Sequence, residues 1–111
     1  MANTFYRKLS ANIGTTSTAV GGYTVGADTT TVVVGLSVCN RTGSTISVDI
    51  AVNDTTDTSF YVVKSAPISA GGSLVAVGGE QKLILATGDS IKVTSDSASS
   101  VDAILSIMEI T

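Results

Sequence analysis

The chain has 111 residues, of which 43% are apolar and 5% aromatic, with no Trp. One domain with a core of Val, Ile, Leu and Ala is expected. Nine acidic residues against six basic ones, no His and a single Cys exclude an internal disulfide and a His-based metal site, and leave no basic stripe for nucleic acid.

The expected elements follow the period of two that marks half-buried strands. Residues 3–13 form the first strand, with Phe5, Arg7, Leu9, Ala11 and Ile13 on one face and Tyr6, Lys8, Ser10 and Asn12 on the other. A polar turn leads to a short strand over residues 18–25, broken by Gly21-Gly22 where a bulge or bend is expected. Residues 31–54 organise the chain. They read as a hairpin of two long arms around Asn40-Arg41-Thr42-Gly43-Ser44. Val32, Val34, Leu36 and Val38 share one face of the first arm. Ile46, Val48, Ile50 and Val52 share one face of the second, with Thr45, Ser47, Asp49, Ala51 and Asn53 opposite.

After a loop at residues 54–57, a strand over 58–65 carries Phe60 and Val62 on one face and Tyr61 and Val63 on the other. Pro67 is expected to end it, because Pro cannot donate to a ladder. Residues 69–72 read as a hairpin turn, 73–77 as a strand, Gly78-Gly79-Glu80 as a turn and 82–86 as a strand. A tight turn at 87–89 precedes a strand over 90–94 with Ile91 and Val93 inward. The polar loop 95–100 leads to the closing strand, 101–110. This strand has Val101, Ala103, Leu105 and Ile107 on one face and Ile104, Met108 and Ile110 on the other. Apolar on both faces, it belongs centrally in a sheet or at a subunit contact.

About eight to nine short strands with links too short for crossover helices define the fold class. It is all-β: a single antiparallel β-sandwich over residues 1–111, jelly-roll-like and without significant helix. Ser and Thr, roughly 28% of the chain, agree with a composition of strands, edges and turns. Val34, Leu36, Val48, Ile50, Leu105 and Ile107 are the expected core.

The sequence carries no catalytic, cofactor-binding or metal-binding constellation, and an enzyme is not expected. The densest oxygen cluster, Asn53-Asp54-Thr55-Thr56-Asp57, could join Asp28 or Asp96 around Ca²⁺, but its spacing matches no calcium loop and Asx turns explain it. Asp49, Glu80, Asp89 and Glu109 lack the apolar surroundings that raise a catalytic carboxyl, and read as solvated. Gly71-Gly72 and Gly78-Gly79 lack the Lys-Ser/Thr ending of a phosphate loop. Cys39 reads as a small buried or edge side chain, with no His to activate it. Asn40-Arg41-Thr42 and Asn53-Asp54-Thr55 match the glycosylation triplet but read as polar turns. The opening residues lack the apolar region of a secretory leader, and no apolar run reaches membrane-spanning length. Neither nucleic acid nor a membrane is an expected partner. Phe5-Tyr6-Arg7-Lys8 is the one stretch where aromatic and basic residues adjoin, and is the candidate partner contact.

Four segments carry a family resemblance: the opening Met-Ala-Asn-Thr-Phe, the strand TTTVVVGLSVCN, the long piece YVVKSAPISAGGSLVAVGGEQKLILATGDSIKVTS and the ending ILSIMEIT. Together they resemble a family of small β-sandwich virion structural proteins of tailed phages, notably those of marine and cyanobacterial hosts. The resemblance implies a non-enzymatic part of a virion, and a capsid decoration (cement) protein is the first expectation. Neck, collar, tail or fibre-attachment domains fit the same resemblance, and a carbohydrate-binding host-recognition module is a further alternative. The two-faced apolar closing strand leads to the expectation of a homo-oligomer, for which the resemblance implies a trimer first, seated on another virion protein such as the major capsid protein.

Overall fold

The computed structural model describes residues 2–78 and 81–111; the Gly79-Glu80 part of the expected turn, and Glu80 among the candidate carboxylates, lie outside them. Nine strands are present among the described residues: β1 (Asn3–Ile13), β2 (Thr18–Ala19), β3 (Thr30–Asn40), β4 (Ile46–Asn53), β5 (Ser59–Ile68), β6 (Ser73–Val77), β7 (Leu83–Leu85), β8 (Ser90–Ser95) and β9 (Val101–Ile110). The expected strand over 18–25 is instead β2 followed by a 3-10 turn at Val20–Gly22. Gly21 takes φ 63° there, and a Cβ on it would stand 2.7 Å from Cβ of Lys8, so the turn approaches β1 as only glycine allows.

The strands form two antiparallel sheets. The first has the order β1-β9-β3-β6, with β7 also on β3; the second has the order β2-β8-β4-β5. β6 and β7 lie end to end along one edge of β3, pairing with its second and first halves. They act as one interrupted strand on that edge. Counted this way, each sheet has four strands, and each strand faces its sequence neighbour across the sandwich: β1 over β2, β9 over β8, β3 over β4, β6 over β5. That nesting is a jelly roll. The core fills the space between the sheets, with Val33, Leu36, Val38, Leu105 and Ile107 from the first and Ile46, Val48, Ile50, Ile91 and Val93 from the second.

Two expectations about pairing are corrected. β3 and β4 are not hydrogen-bonded to each other; residues 41–45 carry the chain from one sheet to the other. Likewise the Gly71-Gly72 link crosses between sheets from β5 to β6. Among the described residues, β4 and β5 are the only consecutive strands that pair. Asn40 explains both crossings. Its side chain is buried, and its Nδ2 donates to the carbonyls of Ser44 (2.8 Å), Ile68 (3.0 Å) and Ser69 (3.2 Å). Its Oδ1 accepts from the Thr42 N–H and hydroxyl, both at 2.8 Å. One amide therefore satisfies the turning backbone of two corners, which would otherwise be left unpaired in the interior.

Bulges correct the expected faces. Opposite β9, the register of β3 shifts between Val33 and Gly35, so Val34 is an extra residue and the phase changes. Thr31 and Val33 point inward before it, Leu36, Val38 and Asn40 after it, and Val34 is only partly buried rather than core. A shift between Ser10 and Ile13, with Asn12 at φ 58°, turns Ile13 into the core while Phe5, Leu9 and Ala11 stay exposed. In β5 the expected stop at Pro67 does not occur: the strand runs on to Ile68. β5 is the edge of its sheet, where a missing donor costs nothing. Asp49 closes the bulge beside it, accepting from the Ser65 N–H at 2.7 Å and from Lys64 Nζ at 3.1 Å. β9 lies centrally, between β1 and β3, as its two apolar faces implied.

Two substitutions check this frame by urea unfolding. Ile50→Ala empties a fully buried site and is expected to cost about 2–5 kcal/mol, with Val34→Ala costing clearly less. Asn40→Asp sets a carboxylate against three carbonyls, and a loss of about 3 kcal/mol or more is expected.

Candidate interaction surface

The register of the first sheet fixes what stands on its outer face. Reading across the strands, Phe5 pairs with Met108, Met108 with Val32, and Val32 with Ile84. Four residues along, Leu9 pairs with Ile104, Ile104 with Ser37, and Ser37 with Val75. Between these two rows lie Arg7, Ser106 and the bulged Val34. The face is thus two largely apolar rows with Arg7 and Ser106 between them. Phe5 is 72% exposed, Ile84 and Val75 66% each, Ile104 51% and Leu9 49%. Scattered exposed apolar residues are ordinary, but a contiguous set on one sheet face marks a contact surface. Among the described residues Arg7, between the two rows, makes no ion pair.

The structure divides the candidate contact Phe5-Tyr6-Arg7-Lys8. Phe5 and Arg7 belong to the outer face. Tyr6 and Lys8 point to the opposite side, paired with Ile107 and Leu105. There Lys8 Nζ stands 5.3 Å from the ring centroids of both Tyr6 and Tyr23. The Tyr23 hydroxyl donates to Glu109 Oε2 and shares a 2.7 Å hydrogen bond with the Thr31 hydroxyl. Burial, then the Glu109 hydrogen bond, pushes the Tyr23 phenol up to about 12. Sequence reasoning missed Leu9, Val75, Ile84 and Ile104 as surface partners of Phe5. The available signal was apolar residues in both phases of residues 83–85 and 101–110. A second aromatic–basic pair was also missed: Lys64 Nζ lies 4.5 Å from the Tyr61 ring centroid on edge strand β5.

Several carboxylates serve the fold. Asp54 Oδ1 accepts from the Thr56 hydroxyl (2.7 Å), the Thr56 N–H (3.0 Å) and the Thr58 N–H (3.1 Å). The Thr56 hydroxyl and the Thr58 amide hold this carboxyl below its usual range. Asp57 accepts from Asn53 Nδ2 and Lys92 Nζ, which lower it in turn. Asp89 accepts from the Ala86 N–H inside its turn, and Asp96 from the Ser47 N–H. Among the described residues no group of three or more His, Cys, Asp or Glu is placed to hold a metal ion. Asp96 does not join the 53–57 loop, since its carboxylate lies at the start of β4 and that loop at its end. Cys39 is a free thiol exposed on the outer face beyond the apolar rows.

Fold and surface define an antiparallel jelly-roll domain with one apolar outer sheet face. No protein-family model and no curated protein matches the chain. Solved structures share its fold. A chain of the Bacillus endospore appendages, a family of disulfide-linked pili, is 14% identical with a TM-score of 0.55, over 100% of this chain and 91% of that one. The nucleoplasmin-like N-terminal domain of Drosophila FKBP39 is 13% identical with a TM-score of 0.50, over 98% and 92%. VP2 of infectious bursal disease virus, from a subviral particle, is 12% identical with a TM-score of 0.53, over 96% of this chain and 32% of that one.

Two solution measurements follow. In the fold the neutral Tyr23 phenol is favoured, so its contribution to stability is complete below its ordinary value of 10.0 and is lost as pH rises towards about 12. An absorbance titration should show a late phenolate phase that Tyr23→Phe removes. Because the donors of the 53–58 loop already occupy Asp54 and Asp57, a chelator should leave the melting temperature unchanged. A drop restored by Ca²⁺ would show that the loop is a cation site.

Proposed function

We propose that this chain is a non-enzymatic structural protein of a phage virion, a decoration protein bound to the exterior of the head. One observation carries the reading: a small jelly roll turns a contiguous apolar sheet face outward while the carboxylates of Asp49, Asp54 and Asp89 are engaged in a bulge and in turns. Such a domain is built to be covered by other protein, not to turn over a substrate. The family resemblance of residues such as ILSIMEIT and TTTVVVGLSVCN supports a virion as the place of assembly. The fold shared with the VP2 protein of a subviral particle and with a pilus subunit agrees with a role in assembly. In this reading the chain is a homo-oligomer that also contacts a virion protein such as the major capsid protein. β1 supplies the contact residues: Phe5 and Arg7 on the outer face, Tyr6 and Lys8 on the other side. β1 is a full member of the sheet, so point substitutions test its contacts better than removal of residues 2–8.

The test is a particle reconstruction with copy counting. Hundreds of copies over the head exterior are expected. A few to a few dozen copies at the neck, collar, tail or fibre attachment would replace decoration with a tail or neck role, and absence from particles would end the virion reading.

A further inference from the structure

The outer face of the first sheet is broad enough to decide what covers it. Its exposed apolar side chains, with Val32, Val34 and Met108 between them, present on the order of 600 Å². That is near the ~800 Å² that each partner commits to a stable protein–protein interface, and at the upper end of what a monomer leaves uncovered. We propose that this face, centred on Phe5, Leu9, Val75, Ile84 and Ile104, is buried against the same face of a second copy of the chain.

The register makes the face complementary to itself. A two-fold axis parallel to the strands, between β9 and β3, keeps each row on its own row. It sets β1 of one copy over the β6–β7 edge of the other and β9 over β3. Phe5 then meets Ile84, Leu9 meets Val75, and Met108 meets Val32, so that large side chains fall on smaller β-branched ones. This is aligned sheet-on-sheet packing, which suits two similarly twisted faces. Charge sorts the arrangement in the same direction. Arg7 lies at the β1 margin, so the axis sends the two guanidinium groups to opposite sides of the contact instead of against each other. An axis across the strands would bring Arg7 onto Arg7. A face that packs on itself generates two-fold pairs, where the family resemblance implies a threefold.

The inference deepens the assembly reading and rests on it, but its test needs only the purified chain, so it can fail while the location on a particle stands. Sedimentation equilibrium of the full chain is expected to give a two-copy mass. Ile104→Asp, on the central strand, should give a one-copy mass with an unchanged far-ultraviolet circular dichroism spectrum. If Ile104→Asp does not fold, Phe5→Ser at the exposed sheet margin carries the test, and should raise the dissociation constant by about tenfold or more. Tyr61→Ser, on the edge of the other sheet, should leave the two-copy mass intact. A one-copy mass for the unaltered chain at every concentration overturns the pairing, as does a three-copy mass. It is equally overturned if Ile104→Asp and Phe5→Ser both stay paired. Loss of particle binding by a variant of a chain that is itself monomeric would assign the face to another virion protein and overturn the second copy as its occupant.

Discussion

The buried Asn40 amide is the constraint on which the roll depends. A jelly roll must carry its chain between sheets many times, and each corner takes backbone out of a ladder. The β3–β4 and β5–β6 corners share a single solution: Asn40 donates to carbonyls on both and accepts from Thr42, while its own N–H donates to the Gly72 carbonyl. Among the described residues, no buried side-chain nitrogen or oxygen lacks a partner. Without that amide, the two corners would each need water or a strand partner, and the simplest alternative pairing of β3 and β4 is a hairpin. The polar side chain therefore selects the topology as well as stabilising it.

Register irregularities do comparable work for the surface. The bulge at Val34 rotates the first half of β3 out of phase with the second, so that Val32 leaves the core and joins Met108 and Ile84 outside. The kink at Asn12 swings Ile13 inward while Leu9 and Ala11 remain outside, and Asp102 secures it by accepting from the Asn12 N–H at 3.1 Å. The same residues thus set two surfaces. A regular β3 would have buried Val32 and Val34 and exposed Val33, leaving a poorer core and a weaker outer row.

Strand existence was legible wherever alternation was uninterrupted. The bounds of β1, β6 and β9, and the inward faces of β8 and β9, follow from sequence spacing alone. So does the burial of Leu36, Val48, Ile50, Leu105 and Ile107. Pairing was not legible. A short polar run such as Asn40-Arg41-Thr42-Gly43-Ser44 suits a hairpin as well as a corner, and the difference lies in carbonyls 28 and 29 residues away. Bulges were hidden for a similar reason, because a run of valines shows no break when its phase slips. Pro67 misled because its cost depends on whether a strand is central or at an edge, which only the sheet order decides. For the surface, Phe5 and Arg7 were visible as a local aromatic–basic pair, whereas Ile84, Val75 and Ile104 meet them only through the sheet.

The outer face also bears on solubility. A net charge of −3 is modest for a chain with positive mean hydropathy, and the charges sit mostly at loops and margins: Asp54 and Asp57 at the β4–β5 turn, Asp102 with Arg41 at one end of the sheet. On edge strand β1, Arg7 stands between two rows that carry Phe, Met, Leu, Ile and Val. An edge charge of this kind discourages strand addition at β1 but does little to keep one apolar face apart from another. The molecule therefore blocks edge-to-edge growth more strongly than face-to-face contact. That asymmetry favours closed, finite contacts over open fibres.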